Sequence, residues 1–513
     1  MGRRIIALLL VLAFSMGLLS GCNNSKRPSS IALSVGYGKV DVTPTESLPL
    51  GGYQGSNSSE FRWSTSVEWP FSAICVAITD ANDNTVLLIT LDMLNATMAD
   101  GLRSSLSSIT GVAKENIMVH VTHNHSGPAL GEDEPVIANY ITQMTNGVIS
   151  AVKTALDNRL PVLKMETTYA RPEGHNTERH YLLADGSYQS YSVGSVPKSQ
   201  LIGHYGVADN LLQLVKFVRD GDKDVVFINW QGHPPGTDPN TIATANYPAV
   251  LCNYLNSNLN CDSIFFLGGS GNLNNNSQIA GDIIHNDYQE LGLGLGKAAV
   301  EAAKNFTARN FSNVCIKEKM LQLQNRNYGA NKVWVYAITV GDLALVTAPF
   351  EIFDDNAVAV RESSDYAMTM YLSCCNGSNG YLPTPPSFGW EITYESRTTN
   401  FPEGTAEIVQ DELISLLKEV AAETGYKAVE KAADYYQAEF QPKTDGITYT
   451  NPTPGDLTQY KAVKNDFFAF QVINNGVLKN MLCNDEELVK KILMQTEIKF
   501  LFNEQSVVVG IAE

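Results

Sequence analysis

The residues best suited to chemistry are histidines at the ends of apolar stretches. Thr122-His123-Asn124-His125-Ser126-Gly127-Pro128 follows directly on Asn116 to Thr122, a run that reads as a strand. In extended chain, residues two apart face the same way, so His123 and His125 can address one site. Histidine is the commonest metal-ligating side chain, and a second one beside it can move protons. Another strand-like run, Asp224 to Trp230, leads into Gln231-Gly232-His233-Pro234-Pro235. A histidine from a separate strand is what a zinc site needs, because metal ligands converge from distant chain positions. Glu351 lies in Ala348-Pro349-Phe350-Glu351-Ile352-Phe353, after the apolar run Leu343 to Val346. It can open a helix, where the dipole favours a carboxylate, or give an anionic oxygen to zinc. Tyr381 lies in Gly380-Tyr381-Leu382-Pro383 and Tyr394 in Thr393-Tyr394-Glu395; tyrosines in such stretches ordinarily pack and hydrogen-bond. His120 alternates within its strand, His175, His180 and His204 fall in polar loops, and His285 falls on a helical pattern near acids. None of these reads as a ligand.

The elements that must hold these residues alternate in type. Phe71 to Thr79 and Thr85 to Leu91 read as strands joined by the turn-like Asp80-Ala81-Asn82-Asp83-Asn84, and Ser263 to Leu267 and Val333 to Val340 look similar. Helical patterns cover Asp133 to Leu156, Ile283 to Ala303 and Thr405 to Thr424, with helical residues continuing to about Tyr436. This order predicts an α/β fold: a large layered domain with mixed β-sheets flanked by helices, over residues 31–436. Pro442, Pro452 and Pro454 then mark a breakpoint. Residues 437–513 read as a small C-terminal extension, with a strand near Phe467 to Val472 and a helix near Asp485 to Met494.

Composition narrows the function classes. The chain has 513 residues, 44% of them hydrophobic and 18% charged, and a formal net charge of −18. That hydrophobic share excludes disorder as the main state, and the acidic balance argues against a nucleic-acid partner. A lipid substrate stays open, since apolar walls bind acyl chains. Arg3 and Arg4 precede the apolar run Ile5 to Leu19, which ends in Leu19-Ser20-Gly21-Cys22. This matches a bacterial lipoprotein signal over residues 1–21, leaving Cys22 as the lipidated start of a polar tether over residues 22–30. The expected location is extracytoplasmic, in the cell envelope, with membrane attachment through Cys22. No other segment reaches about 18 uninterrupted apolar residues. Seven cysteines follow Cys22; Cys252 and Cys261 are close enough for a local disulfide, with buried thiols the other reading.

In chain order, Val35-Gly36-Tyr37-Gly38, Val40-Asp41-Val42-Thr43-Pro44, Gly51-Gly52-Tyr53, the segment 122–128, Asn176-Thr177-Glu178-Arg179, the segment 229–234, Pro349-Phe350-Glu351 and the Tyr381 and Tyr394 region resemble the neutral ceramidase family. The resemblance implies a zinc-dependent amidase acting on an N-acyl lipid or related small molecule. It implies zinc ligands at His123, His233, Glu351 and Tyr381. His125 would then move protons beside the metal, and Arg179 and Tyr394 would polarise the amide carbonyl or hold the oxyanion. Two departures stand out. The family's catalytic serine lies in a G-D-x-S-P-N type segment, and here Gly271-Asn272-Leu273-Asn274-Asn275-Asn276 puts Asn274 in the serine's place and Asn272 in the aspartate's. The family's larger β-rich C-terminal domain is also not evident, the tail being shorter and unlike it. Two alternatives follow: a zinc hydrolase of another N-acyl or ester substrate, and a non-catalytic surface binding protein that retains the fold.

Overall fold

The strands Ser72–Asp80 and Thr85–Leu91 have no polar face; nearly every residue in them is buried. Such strands must be covered on both sides. Ile74, Val76, Ile78, Val86 and Leu88 enter a central core, while Ala73, Cys75, Ala77, Leu87 and Ile89 join a cluster with helices. The computed structural model describes residues 32–52, 62–130, 135–190, 197–327, 329–390, 393–437 and 440–512. The signal segment, Cys22 and Tyr53 lie outside the described residues.

One long mixed sheet runs in the order Cys261–Leu267, Asp224–Trp230, Leu212–Arg219, Leu160–Ala170, Leu33–Asp41, Ser72–Asp80, Thr85–Leu91, Ile117–Val121, with Thr307–Arg309 beside Leu160–Ala170. The pair at each end is parallel and the other pairings are antiparallel. A second sheet, Val314–Asn325, Gly329–Val340, Leu343–Thr347 and Met368–Leu372, shares the central core. Helices cover the outer faces. Ala99–Thr110 and Pro135–Asp157 form one cluster, Asn246–Leu259 and Tyr288–Ala302 a second, and Asp354–Glu362 and Thr405–Thr424 a third over the smaller sheet. This is the expected layered α/β class.

The long sheet curls until its two ends meet. Thr90 donates its hydroxyl to the Phe265 carbonyl at 3.1 Å, and the Leu267 amide donates to His120 Nε2 at 3.0 Å. Burial pushes the His120 imidazole down to about 3, so the ring is neutral and can donate from Nδ1 to Thr90 Oγ1 at 3.1 Å. His120 is a seam residue. The loops after Val121 and Trp230, far apart in strand order, are thereby brought together.

Several boundaries differ from the sequence reading. The helix expected from Ile283 begins at Tyr288, where the Asp287 carboxylate accepts the amides of Gln289 and Glu290. His285 therefore precedes a helix. The helical pattern expected to reach Tyr436 stops at Gly425, which takes φ 64 and caps the helix in the left-handed region. The tail holds more strand than its sequence signalled. Tyr449–Thr450, Lys461–Ala462, Phe468–Asn474, Val477–Cys483, Glu497–Ile498, Phe500–Phe502 and Val508–Ile511 form one sheet, and Glu486–Leu493 packs on it. A smaller cluster of Leu182 and Tyr188 with Phe467, Leu482 and Val507 joins the tail to the main domain. Cys252 and Cys261 are buried free thiols, as are Cys75, Cys374, Cys375 and Cys483, while Cys315 is partly exposed.

Gly36 and Gly38 explain the opening motif. A Cβ at Gly36 would lie 1.8 Å from the Ala155 carbonyl oxygen, and one at Gly38 2.0 Å from that of Ala151. The helix Pro135–Asp157 thus rests directly on backbone. Gly36→Ala should lower stability by about 1–3 kcal/mol in urea unfolding. Gly101→Ala is the control: it lies in the helix Ala99–Thr110 with open space around its Cβ position and should raise stability by roughly 0.5–1 kcal/mol. Equal effects at both positions would refute the close-approach account.

Candidate metal centre

The strand Ile117–Val121 ends just before the histidine pair. The Thr122 and Asn124 amides continue its pairing by donating to Leu91 and Met93 carbonyls at 3.0 and 2.9 Å. His123, between them, has φ 58, the left-handed region that a non-glycine residue seldom adopts. The chain is therefore turned where the sequence suggested extension. The rings of His123 and His125 still lie 4.9 Å apart, centroid to centroid. Asn124 pins the turn: its Nδ2 donates to the Thr244 carbonyl at 2.5 Å and its Oδ1 accepts the Ser126 amide at 2.9 Å. Gly52, at φ 73, leaves room for His125; a Cβ there would sit 2.6 Å from its Nδ1.

The exit from Asp224–Trp230 is pinned as firmly. Gln231 donates to Asp209 Oδ2 at 2.6 Å, Tyr247 donates its hydroxyl to the Gly232 carbonyl at 2.7 Å, and Asn275 donates to the His233 carbonyl. Glu351 does not open a helix. It pairs with Tyr381 in a short parallel bridge, and Asp354 and Asp355 occupy the first turn of Asp354–Glu362. Its carboxylate is turned to the histidines instead.

Four donor atoms converge. His123 and His233 point Nδ1 at the carbonyls of Leu94 and Ser270, at 2.7 and 2.8 Å. Each Nδ1 must donate there, so each neutral ring offers a bare Nε2 lone pair. Those two Nε2 atoms are 3.1 Å apart, and His125 Nε2 is 3.2 Å from that of His123. Glu351 Oε2 lies 3.1 and 3.3 Å from the Nε2 atoms of His123 and His233. Burial alone would depress His123, but Glu351 lifts it well above the ordinary histidine value. Burial and the neighbouring cations hold His125 low, and burial first of all does the same to His233. Burial would raise Glu351, yet His123 and His233 hold it well below the usual carboxylate range. A cation replacing the proton on His123 would meet imidazole nitrogens and an anionic oxygen, the donor set of a zinc site. The group His123, His125 and His233 could hold a metal ion.

These residues line a cavity of about 770 Å³ together with Arg179, Asn274, Tyr381 and Tyr394, so the eight residues given a catalytic or metal position by the family resemblance share one cavity. The structure groups His125 with the metal-capable donors, whereas the family resemblance set it apart as a proton carrier. Tyr381 stacks beside His233 at 6.4 Å between centroids, with the Arg179 guanidinium 5.3 Å from its own ring centre. Burial pushes its phenol up. Tyr394 is 39% exposed and meets Tyr381 edge-on. Asn272 does not line the cavity. It donates to Asp354 Oδ1 at 2.6 Å and accepts the Asp354 amide at 2.9 Å. Leu94, Asn95, Asn275, Asn276 and Ser378 also line the cavity and carried no signal of their own in the sequence.

The sequence reading missed a buried chain of charge behind Arg179. Arg179 Nε donates to Glu395 Oε1 at 2.6 Å, and Nη2 lies equally close. His180 Nε2 meets Glu395 Oε2 at 2.9 Å, and its Nδ1 meets Glu178 Oε1 at 2.5 Å. With a carboxylate at each nitrogen the ring is an imidazolium. Burial opposes this, but Glu178 and Glu395 raise His180 to about 10, while Arg179 and His180 overcome burial and bring Glu395 to about 2. His180 thus belongs to the buried strand His180–Leu183, and His204 ends the strand Leu201–His204. One signal was available: Glu178-Arg179-His180 puts three chargeable residues directly before Tyr181-Leu182-Leu183. Charges on a buried strand demand partners. Because the folded value of His180 exceeds the unfolded value of about 6.5, its stabilisation is full below that pH and fades as pH rises through about 10. The stability gap between the wild type and His180→Gln in urea unfolding should therefore narrow from pH 6 to pH 10. A constant gap would mean that the ring is not charged.

No protein-family model matches the chain. No curated protein matches it either. Among solved structures, neutral ceramidase from Pseudomonas aeruginosa superposes with a TM-score of 0.61 at 13% identity, over 88% of this chain and 92% of that one. A structure described as ceramidase complexed with C2 gives a TM-score of 0.62 at 13% identity, over 94% of this chain and 92% of its own. At this identity the likeness is one of fold, and the chain has a fold similar to neutral ceramidase with a buried histidine group able to hold a metal.

Proposed function

We propose that this protein is a zinc-dependent amide hydrolase acting on an N-acyl lipid of the ceramide type, held at the cell envelope through Cys22. The observation that carries the reading is the convergence of His123, His125 and His233 nitrogens with the Glu351 carboxylate in one cavity. Support comes from the fold likeness to neutral ceramidase.

Amides are poor electrophiles and amines poor leaving groups. Zinc, when bound, supplies a Lewis acid and a water whose pKa falls to about 7. His123 and His233 hold it with Nε2 lone pairs that their Nδ1 hydrogen bonds have oriented. Glu351 adds an anionic oxygen, and Tyr381 stands beside His233 as the remaining candidate ligand. His125, unprotonated at neutral pH, takes a proton at its imidazole and returns it to the departing nitrogen. Arg179 donates to the carbonyl oxygen as negative charge grows there, with Tyr394 beside the same opening. Asn274 is no nucleophile. Its amide can hold a substrate hydroxyl or carbonyl.

The test is zinc content and N-acylsphingosine hydrolysis for a chain starting at residue 23, beside His233→Ala. The expected result is about one zinc per chain, fatty-acid release, and loss of both in the variant. Zinc without release would move the substrate to another amide or ester. Failure to bind supplied zinc would overturn the ligand assignment and leave a binding protein.

A further inference from the structure

We propose that Glu395 is the positioning residue of this site: from its buried seat between His180 and Arg179 it fixes the guanidinium that meets the substrate carbonyl. The proposal rests on the reading of Arg179 as the cation facing the reacting amide. Glu395 is fully buried and follows Tyr394 at the start of the short helix Tyr394–Thr398. Arg179 and Tyr394 line the cavity, and Glu395 stands behind them.

One oxygen of this carboxylate holds Arg179, and the other is held by His180. Oε1 accepts Arg179 Nε at 2.6 Å and the Ser190 hydroxyl at 3.3 Å, while Oε2 accepts His180 Nε2 at 2.9 Å. An arginine side chain is long and has many rotamers. Contact along its Nε and Nη2 edge leaves one orientation, with the guanidinium carbon 5.3 Å from the Tyr381 ring centre. His180 is itself fixed. Glu178 Oε1 takes its Nδ1, Glu178 Oε2 accepts its backbone amide at 2.8 Å, and Trp390 packs on its ring at 4.8 Å.

The charge arrangement explains why one carboxylate is not enough. A glutamate paired with Arg179 alone would cancel much of the field that a developing oxyanion feels. Here Glu395 shares its charge with the His180 cation, and Glu178 balances that cation from its far side. Arg179 is oriented while the His180 cation offsets part of the Glu395 charge felt at the cavity.

The experiment is a double-mutant cycle on the zinc-loaded protein with Glu395→Gln, Arg179→Ala and the pair, read by N-acylsphingosine kinetics and by octanoate binding. Glu395→Gln should lower kcat by roughly 10²-fold, as loss of one oxyanion donor does, with KM within about threefold. Octanoate should bind about tenfold more weakly, although a negative charge has been removed, because the displaced cation no longer meets it. In the Arg179→Ala background Glu395→Gln should add no further loss. Additive losses, or octanoate binding that is unchanged or tighter in Glu395→Gln, would overturn the proposal. Should Glu395→Gln not fold, Glu395→Asp keeps the charge one methylene further back and is expected to lose kcat through the same non-additive cycle. A wild type inactive on N-acylsphingosine would sink the functional reading, and the octanoate cycle would still decide the positioning claim.

Discussion

Two imidazole nitrogens 3.1 Å apart, each opposite an Nδ1 already committed to a carbonyl, form the constraint that organises this molecule. Neutral rings so placed face lone pair to lone pair, and only a proton or a metal ion relieves that. Each ring and its acceptor come from one parallel strand pair. His123 follows Ile117–Val121 and is oriented by Leu94, which follows the neighbouring Thr85–Leu91. His233 follows Asp224–Trp230 and is oriented by Ser270, which follows the neighbouring Cys261–Leu267. Glu351 follows Leu343–Thr347, itself one of a parallel pair with Met368–Leu372. Parallel neighbours end on the same side, so each pair can deliver a side chain and its support together.

Bringing three such pairs to one point needs the long sheet to close on itself. The seam does this with polar groups inside an apolar core, at Thr90 and His120 against Phe265 and Leu267. Burying an imidazole costs stability unless both nitrogens are paired, and both are. The smaller sheet locks the joint from its own exit loop. Ser373 donates to the Leu267 carbonyl, and Asn376 both accepts from and donates to Val119. His120 therefore differs from His123 in its work, though the two are three residues apart: one closes the scaffold and the other uses the opening that results.

Much of this was legible in the sequence for a definite reason. The strands Ser72–Asp80, Thr85–Leu91 and Asp224–Trp230 are buried on both faces, so they read as continuous apolar runs whose ends are obvious. The histidines stood out because they sit at those ends. What stayed hidden depends on partners far along the chain. Glu395 and His180 meet across more than two hundred residues, and nothing local to either announces the other. The tail strand near Phe467 to Val472 was legible, and the others were missed because most are two to four residues long. Even so, Asn475-Gly476, both at positive φ between Phe468–Asn474 and Val477–Cys483, is a readable hairpin signal. The left-handed turn at His123 could not be read from residue type, since histidine there gives no warning of it.

The asparagines at 272 and 274 stand where the family resemblance led to an aspartate and a serine. An aspartate at 272 would face the Asp354 carboxylate at the 2.6 Å now spanned by an amide hydrogen bond. Asp354 is already raised by burial and by Asp355, so a further carboxylate would have to share a proton with it. The amide supplies a donor and an acceptor where two acids would compete, which makes Asn272 a fit to its partner and no sign of loss. Asn274 lies in the cavity wall, and its neighbour Asn275 supports the His233 carbonyl. Around them stand two buried sets, the converging imidazoles with Glu351 and the Arg179–Glu395–His180–Glu178 chain. Here every member of both sets is present and hydrogen-bonded or ion-paired. The asparagines therefore leave the donor set and the charged chain behind it intact.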